Sequence, residues 1–160
     1  MIYLLSKDFR KSCEMLCDLH LNESIIDTAT TLSYYLWTHH RDTVAFDAAH
    51  FFSEKSRLDN IKSDIPRAYY PLRGTKDFRE WVIQSQSHYA FLIQYLEFLL
   101  EEHETRFFTS HKTSYVLSSM PKFSFKNLED VAQIEKRIDA CLDMYNQPRK
   151  SWTWTNRDQP

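Results

Sequence analysis

Glycine is nearly absent from this chain. Gly74 is the single glycine in 160 residues, so the glycine-rich loops that hold phosphates in Rossmann and Walker folds are excluded, and with them most nucleotide-hydrolysing folds. No run approaches 18 apolar residues, the length that would predict a membrane helix. The apolar start at residues 2–5 is too short for a signal peptide. We therefore expect a soluble cytoplasmic protein without a membrane partner.

Cysteine is also scarce and poorly placed for bridges or metals. The three cysteines, Cys13, Cys17 and Cys141, contain no CxxC pair, so neither a disulfide framework nor a zinc knuckle is predicted. Small, buried, reduced cysteines are the simplest interpretation. His39 and His40 are adjacent and diverge on a helix, and no HxxxH or HExxH spacing occurs. We predict no metal and no cofactor.

A strong charge of one sign is missing as well. The formal net charge is −2 and the isoelectric point is about 6.4, so no global basic field indicates nucleic-acid binding. Basic residues nevertheless cluster beside aromatic ones in three stretches, 67–76, 106–112 and 149–157. Cations next to aromatic rings suit phosphates and stacked bases. The alternative is that these are ordinary charged loops.

Hydrophobic periodicity predicts an all-α protein. Apolar residues make up 42% of the chain, enough for one folded domain over residues 1–160. We predict a bundle of about five to six helices around a long central helix. Residues 2–5 form either a strand or an extended lead-in, 63–76 form a loop, and 147–160 form an irregular, Trp-rich tail packed on the domain. The predicted helices run from the Asp8 cap to about 19, from 22 to 39, once or twice within 45–62, from 77 to 107, and from 127 to 146.

A polar run near the start is the most informative motif. His20, Glu23 and Asp27 follow at helical spacing, so they share one face, with His20 and Asp27 roughly 10 Å apart along the axis. The other side of this stretch carries Ile25, Ile26, Ala29, Leu32 and Leu36, enough to fix it against a core. The polar face is either ordinary solvated surface or part of a site.

Three polar groups could form a site together. Carboxylates and imidazoles near a guanidinium are what general acid–base chemistry on a phosphorylated or glycosidic substrate requires. Ser85 and His88 fall in the inner row of the predicted 77–107 helix, where buried polar groups need partners. The three groups are Asp18/His20/Glu23/Asp27, Ser85/His88 and Glu102/Arg106/His111/Lys112.

Four blocks resemble a family of small tailed-phage proteins. The run Cys-Asp-x-His with an acidic residue seven positions later resembles that family's opening CDKHVVKM-x-x-E pattern. The later blocks resemble W-x-x-x-S-x-x-(N)Y-x-W-L, E-x-x-x-R-x-x-x-x-H-K and W-T-x-R-x-x-P, in the same order. The matching residues are Trp81, Ser85, His88, Tyr89, Phe91 and Leu92, then Glu102, Arg106, His111 and Lys112, then Trp154, Thr155, Arg157 and Pro160.

The first block also resembles, more distantly, the all-helical pyrimidine-dimer DNA glycosylases of the phage endonuclease V type. That resemblance implies catalysis by Asp27 as carboxylate and by an N-terminal α-amine, here that of Met1, attacking the sugar to form a Schiff base. It implies that His20 makes a backbone or phosphate contact and that Arg106 and Lys112 contact phosphates. The substrate-binding residues expected from the blocks are Asp18, Glu23, Trp81, Ser85, His88, Glu102, Arg106, His111, Lys112, Trp154 and Arg157.

Departures from these patterns keep other functions open. Ile2 follows Met1, the glycosylase glutamate is a shorter aspartate, and Glu23 replaces a lysine. The first hypothesis is a DNA glycosylase-like protein acting on a DNA base or nucleotide in the cytoplasm of an infected bacterial host. The second is a non-enzymatic phage protein that binds nucleic acid or a host protein on the same scaffold. A third is a transferase that modifies thymine derivatives in phage DNA. The sequence leaves the oligomeric state undetermined.

Overall fold

The computed structural model describes residues 2–40 and 76–122, together with positions 135, 136 and 139. This part is 74% helical and contains no strand, which confirms the all-α prediction. Its helices are α1 (Phe9–Met15), α2 (Asp18–His39), α3 (Lys76–Val82), α4 (Gln86–Phe107) and α5 (Ser114–Ser119). The predicted elements at 45–62 and 147–160 lie outside the described residues, as does the predicted loop at 63–76 apart from Lys76, which begins α3 and so is not in a loop. The predicted helix at 127–146 also lies outside them, apart from three helical positions. The sequence had not predicted α5.

The junction between the first two helices differs from the prediction. Asp8 caps α1 as expected, its carboxylate accepting from the Lys11 backbone N–H at 3.1 Å. However, α1 ends at Met15 and α2 already begins at Asp18, because Leu16 and Cys17 are extended and fully buried. These two extended residues separate α1 from α2. Asp18 and His20 therefore belong to the first turn of α2.

The predicted 77–107 helix is in fact two helices, so the single-helix prediction is wrong. The chain turns at residues 83–85, and Ser85 caps α4 by accepting from the backbone N–H groups of Ser87 and His88 at 3.0 and 3.4 Å. A serine hydroxyl satisfies the free N–H groups of a helix start, which makes a break here favourable. Ser85 is thus a cap and does not belong to an inner apolar row.

Residues 2–5 form an extended lead-in, one of the two predicted forms. All four are buried, so their backbone polar groups need partners inside the protein. The Tyr3 N–H donates to Ser24 Oγ at 3.2 Å, and the Leu5 N–H donates to Ser12 Oγ at 2.9 Å. Tyr95 Oη donates to the Tyr3 carbonyl. The segment is consequently anchored to α1, α2 and α4 without forming a strand.

Helices α2 and α4 lie antiparallel at the centre of the described structure. Arg106, near the end of α4, contacts Asp18 at the start of α2, whereas Tyr89 near the start of α4 contacts Tyr35 near the end of α2. We call the first contact region the charged end and the second the aromatic end. The core between them includes Leu21, Ile25, Ala29, Leu32, Leu36, Leu92, Leu96 and Leu99. Among the described helices, none is long and apolar enough to cross a membrane.

Candidate functional site

Helix α2 carries a buried polar stripe beside its apolar face. His20, Ser24, Thr28 and Thr31 recur at helical spacing, and each is at most 2% exposed. Ser24 and Thr31 are bonded, the first to the Tyr3 backbone and the second to the Asp27 carbonyl at 2.7 Å. Among the described residues, Thr28 Oγ1 makes no hydrogen bond. A buried hydroxyl without a partner is costly, so this position needs an explanation.

The start of the chain packs directly on this stripe. The Tyr3 ring stacks on the His20 imidazole with ring centres 4.3 Å apart and planes 28° from parallel. The Tyr3 backbone is tied to Ser24, one turn further along α2. The lead-in therefore contacts α2 through Tyr3, where His20 and Ser24 lie, and α1 through Leu5. His20 itself is 2% exposed, so its ring is covered by the lead-in.

Asp27 and Glu23 lie along the edge of the same face, and both are half-buried. Asp27 follows Ser24 by three residues and thus lies one turn beyond the attachment point of Tyr3. The predicted sharing of one α2 face by His20, Glu23 and Asp27 follows from the helix as observed, since all three lie within Asp18–His39. Along α2, Glu23 lies one residue and Asp27 three residues from Ser24, the attachment point of Tyr3.

Arg106 is the centre of the charged end. Its Nε donates to Glu102 Oε1 at 2.8 Å and its Nη1 donates to Asp18 Oδ1 at 3.0 Å. Its Nη2 donates to the carbonyls of Cys13 and Glu14, at 3.1 and 3.3 Å. The side chain is 2% exposed. One cation thus binds the last turn of α1, the first turn of α2 and the preceding turn of α4.

This geometry favours a structural role for Arg106. The guanidinium has five N–H donors, and the contacts above already use most of them. A positive charge is favourable at the carbonyl end of α1, and Asp18 is favourable at the start of α2. Glu102 is 3% exposed and pairs with the same cation. Phosphate binding by Arg106 stays a prediction, and so do the substrate roles of Asp18 and Glu102.

His111 fastens the loop after α4 to α2. Its Nδ1 accepts from the Thr113 N–H at 3.0 Å, so Nε2 carries the hydrogen and donates to Asn22 Oδ1 at 2.9 Å. Burial, followed by the neighbouring His103 and Lys112 charges, lowers the pKa of His111 to about 4. The ring is therefore neutral at neutral pH and acts as a rigid connector. Lys112 is exposed beside it.

Ser85, His88 and Trp81 lie at the other end of the bundle. His88 is fully buried, donates from Nδ1 to the Trp81 carbonyl at 2.7 Å, and stacks on the Trp81 ring at 4.1 Å with planes 8° apart. From His88 to Arg106 the axis of α4 runs about 27 Å at 1.5 Å per residue. The expectation that all three polar groups form one site is therefore wrong, because a straight helix separates the second group from the third.

Three of the predicted site residues lie outside the described residues: Met1, Trp154 and Arg157. Burial raises the pKa of Cys13 to about 12, which leaves no thiolate nucleophile there. Within the described part, no three His, Cys, Asp or Glu side chains gather as a metal site would require.

Sequence reasoning missed the hydroxyl stripe and Tyr3. Ser24 and Thr28 follow His20 at intervals of four, a helical spacing like the interval of seven that indicated Asp27. Small hydroxyl residues carry little weight in a hydrophobic pattern, and their burial depends on what covers them. Tyr3 gave no signal in the sequence, because its contact with His20 joins residues that only the tertiary fold brings together.

The α2 face therefore combines a carboxylate, a buried imidazole, an unbonded buried hydroxyl and the beginning of the chain. Of these groups Asp27 is half-buried, and its carboxylate can hold a proton or stabilise a developing positive charge. Comparisons of the chain with protein-family models, with curated proteins and with solved structures find no match.

Proposed function

We propose that this protein is a DNA glycosylase-like enzyme that acts on a DNA base or nucleotide at the polar face of α2. One observation carries the proposal: Tyr3 is bonded to Ser24 and stacked on His20, so the lead-in is directed to the turn of α2 that precedes Asp27. A nucleophile at the beginning of the chain and a carboxylate on α2 are the two groups that the resemblance to the pyrimidine-dimer glycosylases implies.

The proposed reaction uses the α-amine of Met1 as nucleophile. An α-amine has a pKa near 8 and is partly neutral at pH 7. Its nitrogen forms a bond to C1′ of the sugar while the bond from C1′ to the base breaks, and the base leaves with a proton from the amine. Opening of the sugar ring then gives a Schiff base between C1′ and the amine. Asp27 stabilises the positive charge that develops on the sugar and on the imine.

In this proposal, exposed cationic side chains bind the phosphates. Lys112 is exposed at the charged end, and it remains a candidate phosphate contact. Arg106 acts through the framework, because it holds the first turn of α2 in place relative to α1 and α4. We expect Lys112→Ala to reduce the slope of log affinity against log salt by about one.

Borohydride trapping tests the proposed reaction. The protein is incubated with abasic or pyrimidine-dimer DNA in the presence of borohydride, which reduces a Schiff base to a stable adduct. We expect an adduct that is lost in Asp27→Asn and retained in Glu23→Gln, a matched change of a half-buried carboxylate on the same helix. An adduct indifferent to Asp27→Asn, or none from protein that binds the DNA, contradicts the proposed reaction.

A non-enzymatic interaction protein is the second candidate. One observation favours it: four large apolar side chains of the charged end are exposed, Met15 by 40%, Leu19 by 60%, Phe107 by 38% and Phe108 by 91%. Exposed apolar groups gathered at one end of a bundle mark contact surfaces for other proteins. Fluorescence anisotropy that detects no binding to single- or double-stranded DNA at about 50 mM salt would favour this candidate over the first.

A further inference from the structure

Phe108 is presented to solvent in a strained conformation. It caps the end of α4 with φ 55° and ψ 28°, the left-handed region, and is the described non-glycine residue that has a positive φ. Its side chain is 91% exposed. A bulky residue is disfavoured in this conformation, and an exposed aromatic ring gains nothing from the fold. Phenylalanine at this position therefore lowers the stability of the fold.

The loop that carries Phe108 is held rigidly. His103 Nδ1 donates to the Thr109 carbonyl at 3.2 Å, and the Ser114 hydroxyl donates to the His111 carbonyl at 2.8 Å. The bond from His111 to Asn22 fixes the loop to α2. The backbone that carries the phenyl ring is therefore held in place, so little backbone entropy is lost when the ring is buried.

A groove opens next to the projecting Phe108 ring. It has a volume of about 600 Å³ and begins at Ser110, two residues after Phe108. Phe98, Leu100 and Leu117 contribute apolar surface to it. Its borders carry ion pairs from Arg10 to Glu101 and from Lys122 to Glu97. These three side chains give the groove an apolar part that a phenyl ring can contact, and the chain's own Phe108 is not among its lining residues.

We propose that a second copy of this chain fills the groove, each copy inserting Phe108 into the groove of the other. Because projection and groove are neighbours on one surface, a single two-fold axis brings both projections into both grooves at once. Such an interface uses the same patch on both copies and closes after two subunits. Phe108 would become its buried aromatic anchor, the usual role of a hot-spot residue.

Charges at the patch are complementary across such an axis. Within the described part of the chain, neither Glu104 in the groove nor Lys112 beside Phe108 forms an ion pair, although other charges bordering the groove do. In a two-fold dimer, Lys112 of one copy is positioned to approach Glu104 of the other. Each pair would form twice and would fix the register of the interface.

Sedimentation equilibrium of the full chain tests this proposal. We expect the wild-type protein to be a dimer at tens of micromolar, and Phe108→Asp to raise the dissociation constant at least about thirtyfold. Leu19→Asp is the matched control, since Leu19 is 60% exposed at the same end but lies outside both groove and loop. A monomeric wild-type protein at about 200 µM, or equal dissociation constants for wild type and Phe108→Asp, overturns the proposal.

Charge reversal gives a second, independent measurement. Glu104→Lys and Lys112→Glu should each weaken dimerisation, whereas the double variant should restore it because the pair is re-formed with opposite signs. Both side chains are exposed, so neither change removes a buried contact. Failure of the double variant to dimerise better than either single variant contradicts the proposed register.

Discussion

The two ends of the α2–α4 pair are held together by different interactions. At the charged end, one buried cation, Arg106, satisfies two carboxylates and two carbonyls. At the aromatic end, Trp81 stacks on His88 and Tyr35 packs on Tyr89 with ring centres 4.6 Å apart. Directional contacts to a buried charge fail together when the charge is removed, whereas stacked rings lose their packing more gradually. The ends should therefore respond differently to mutation and pH.

The largest effect is expected from removing the cation. Arg106→Met leaves the carboxylates of Asp18 and Glu102 without their partner, so the free energy of unfolding should fall by about 3–5 kcal/mol. Urea denaturation followed by circular dichroism measures this. The control is Arg10→Met, which removes an exposed ion pair with Glu101 and should cost less than about 1 kcal/mol. Equal losses in the two variants would show that the charged end is not held by Arg106.

A smaller loss is expected at the aromatic end. His88→Ala removes the ring that packs on Trp81 and the donor to its carbonyl, which should cost about 2–3 kcal/mol. Denaturation followed by tryptophan fluorescence reports on this. His39→Ala is the control, because His39 donates to the Ile83 carbonyl from an exposed position. Its loss should stay below about 1 kcal/mol, and a larger loss than in His88→Ala would contradict the comparison.

Acid should loosen the charged end before the aromatic end. The unfolded chain protonates His111 near pH 6.5, but the folded protein does so only near pH 4, since burial lowers this pKa. The stability from neutral His111 is fully present above about pH 6.5 and is lost as the pH falls towards about 4. Burial likewise lowers the pKa of His103.

Thermal melts between pH 7.5 and 4.5 measure this dependence. In His111→Gln the decrease in melting temperature over that range should be shallower than in the wild type, because one proton-binding group is gone. Parallel curves for the two proteins would contradict the assignment of acid sensitivity to His111. A part of the ring is in solvent, so the effect should be smaller than that of either substitution above.

The smallest effect is a gain in stability. Phe108→Gly relieves the left-handed conformation at the end of α4 and should raise the free energy of unfolding by about 0.5–1 kcal/mol. Thr105→Gly, within the helix and also exposed, should lower it by about the same amount. Urea titrations of the three proteins in parallel, at submicromolar concentration where the chain is monomeric, provide the measurement. Loss of stability in Phe108→Gly would mean that the ring supports the fold and is not retained for a contact.

Prediction from sequence succeeded where short-range patterns decide the structure. The Asp8 cap and the end of α2 at His39 follow from residues a turn apart. The break at 83–85 was missed, because Ser85 could be either a cap or a polar member of a helix and its neighbours fit both. At the candidate site, the sequence indicated His20 and Asp27 but gave no sign of Tyr3, whose partner is distant in the chain.

The sequence by itself determined the helical class and the polar face of α2, because both depend on residue types at fixed helical intervals. Only the tertiary structure decided what those polar groups contact. Arg106 is a buried connector because the last turns of α1 and α4 and the first turn of α2 meet around it. His88 was separated from Arg106 by the length of α4. Such contacts join residues up to 93 positions apart, and no local pattern encodes the way three helix ends converge.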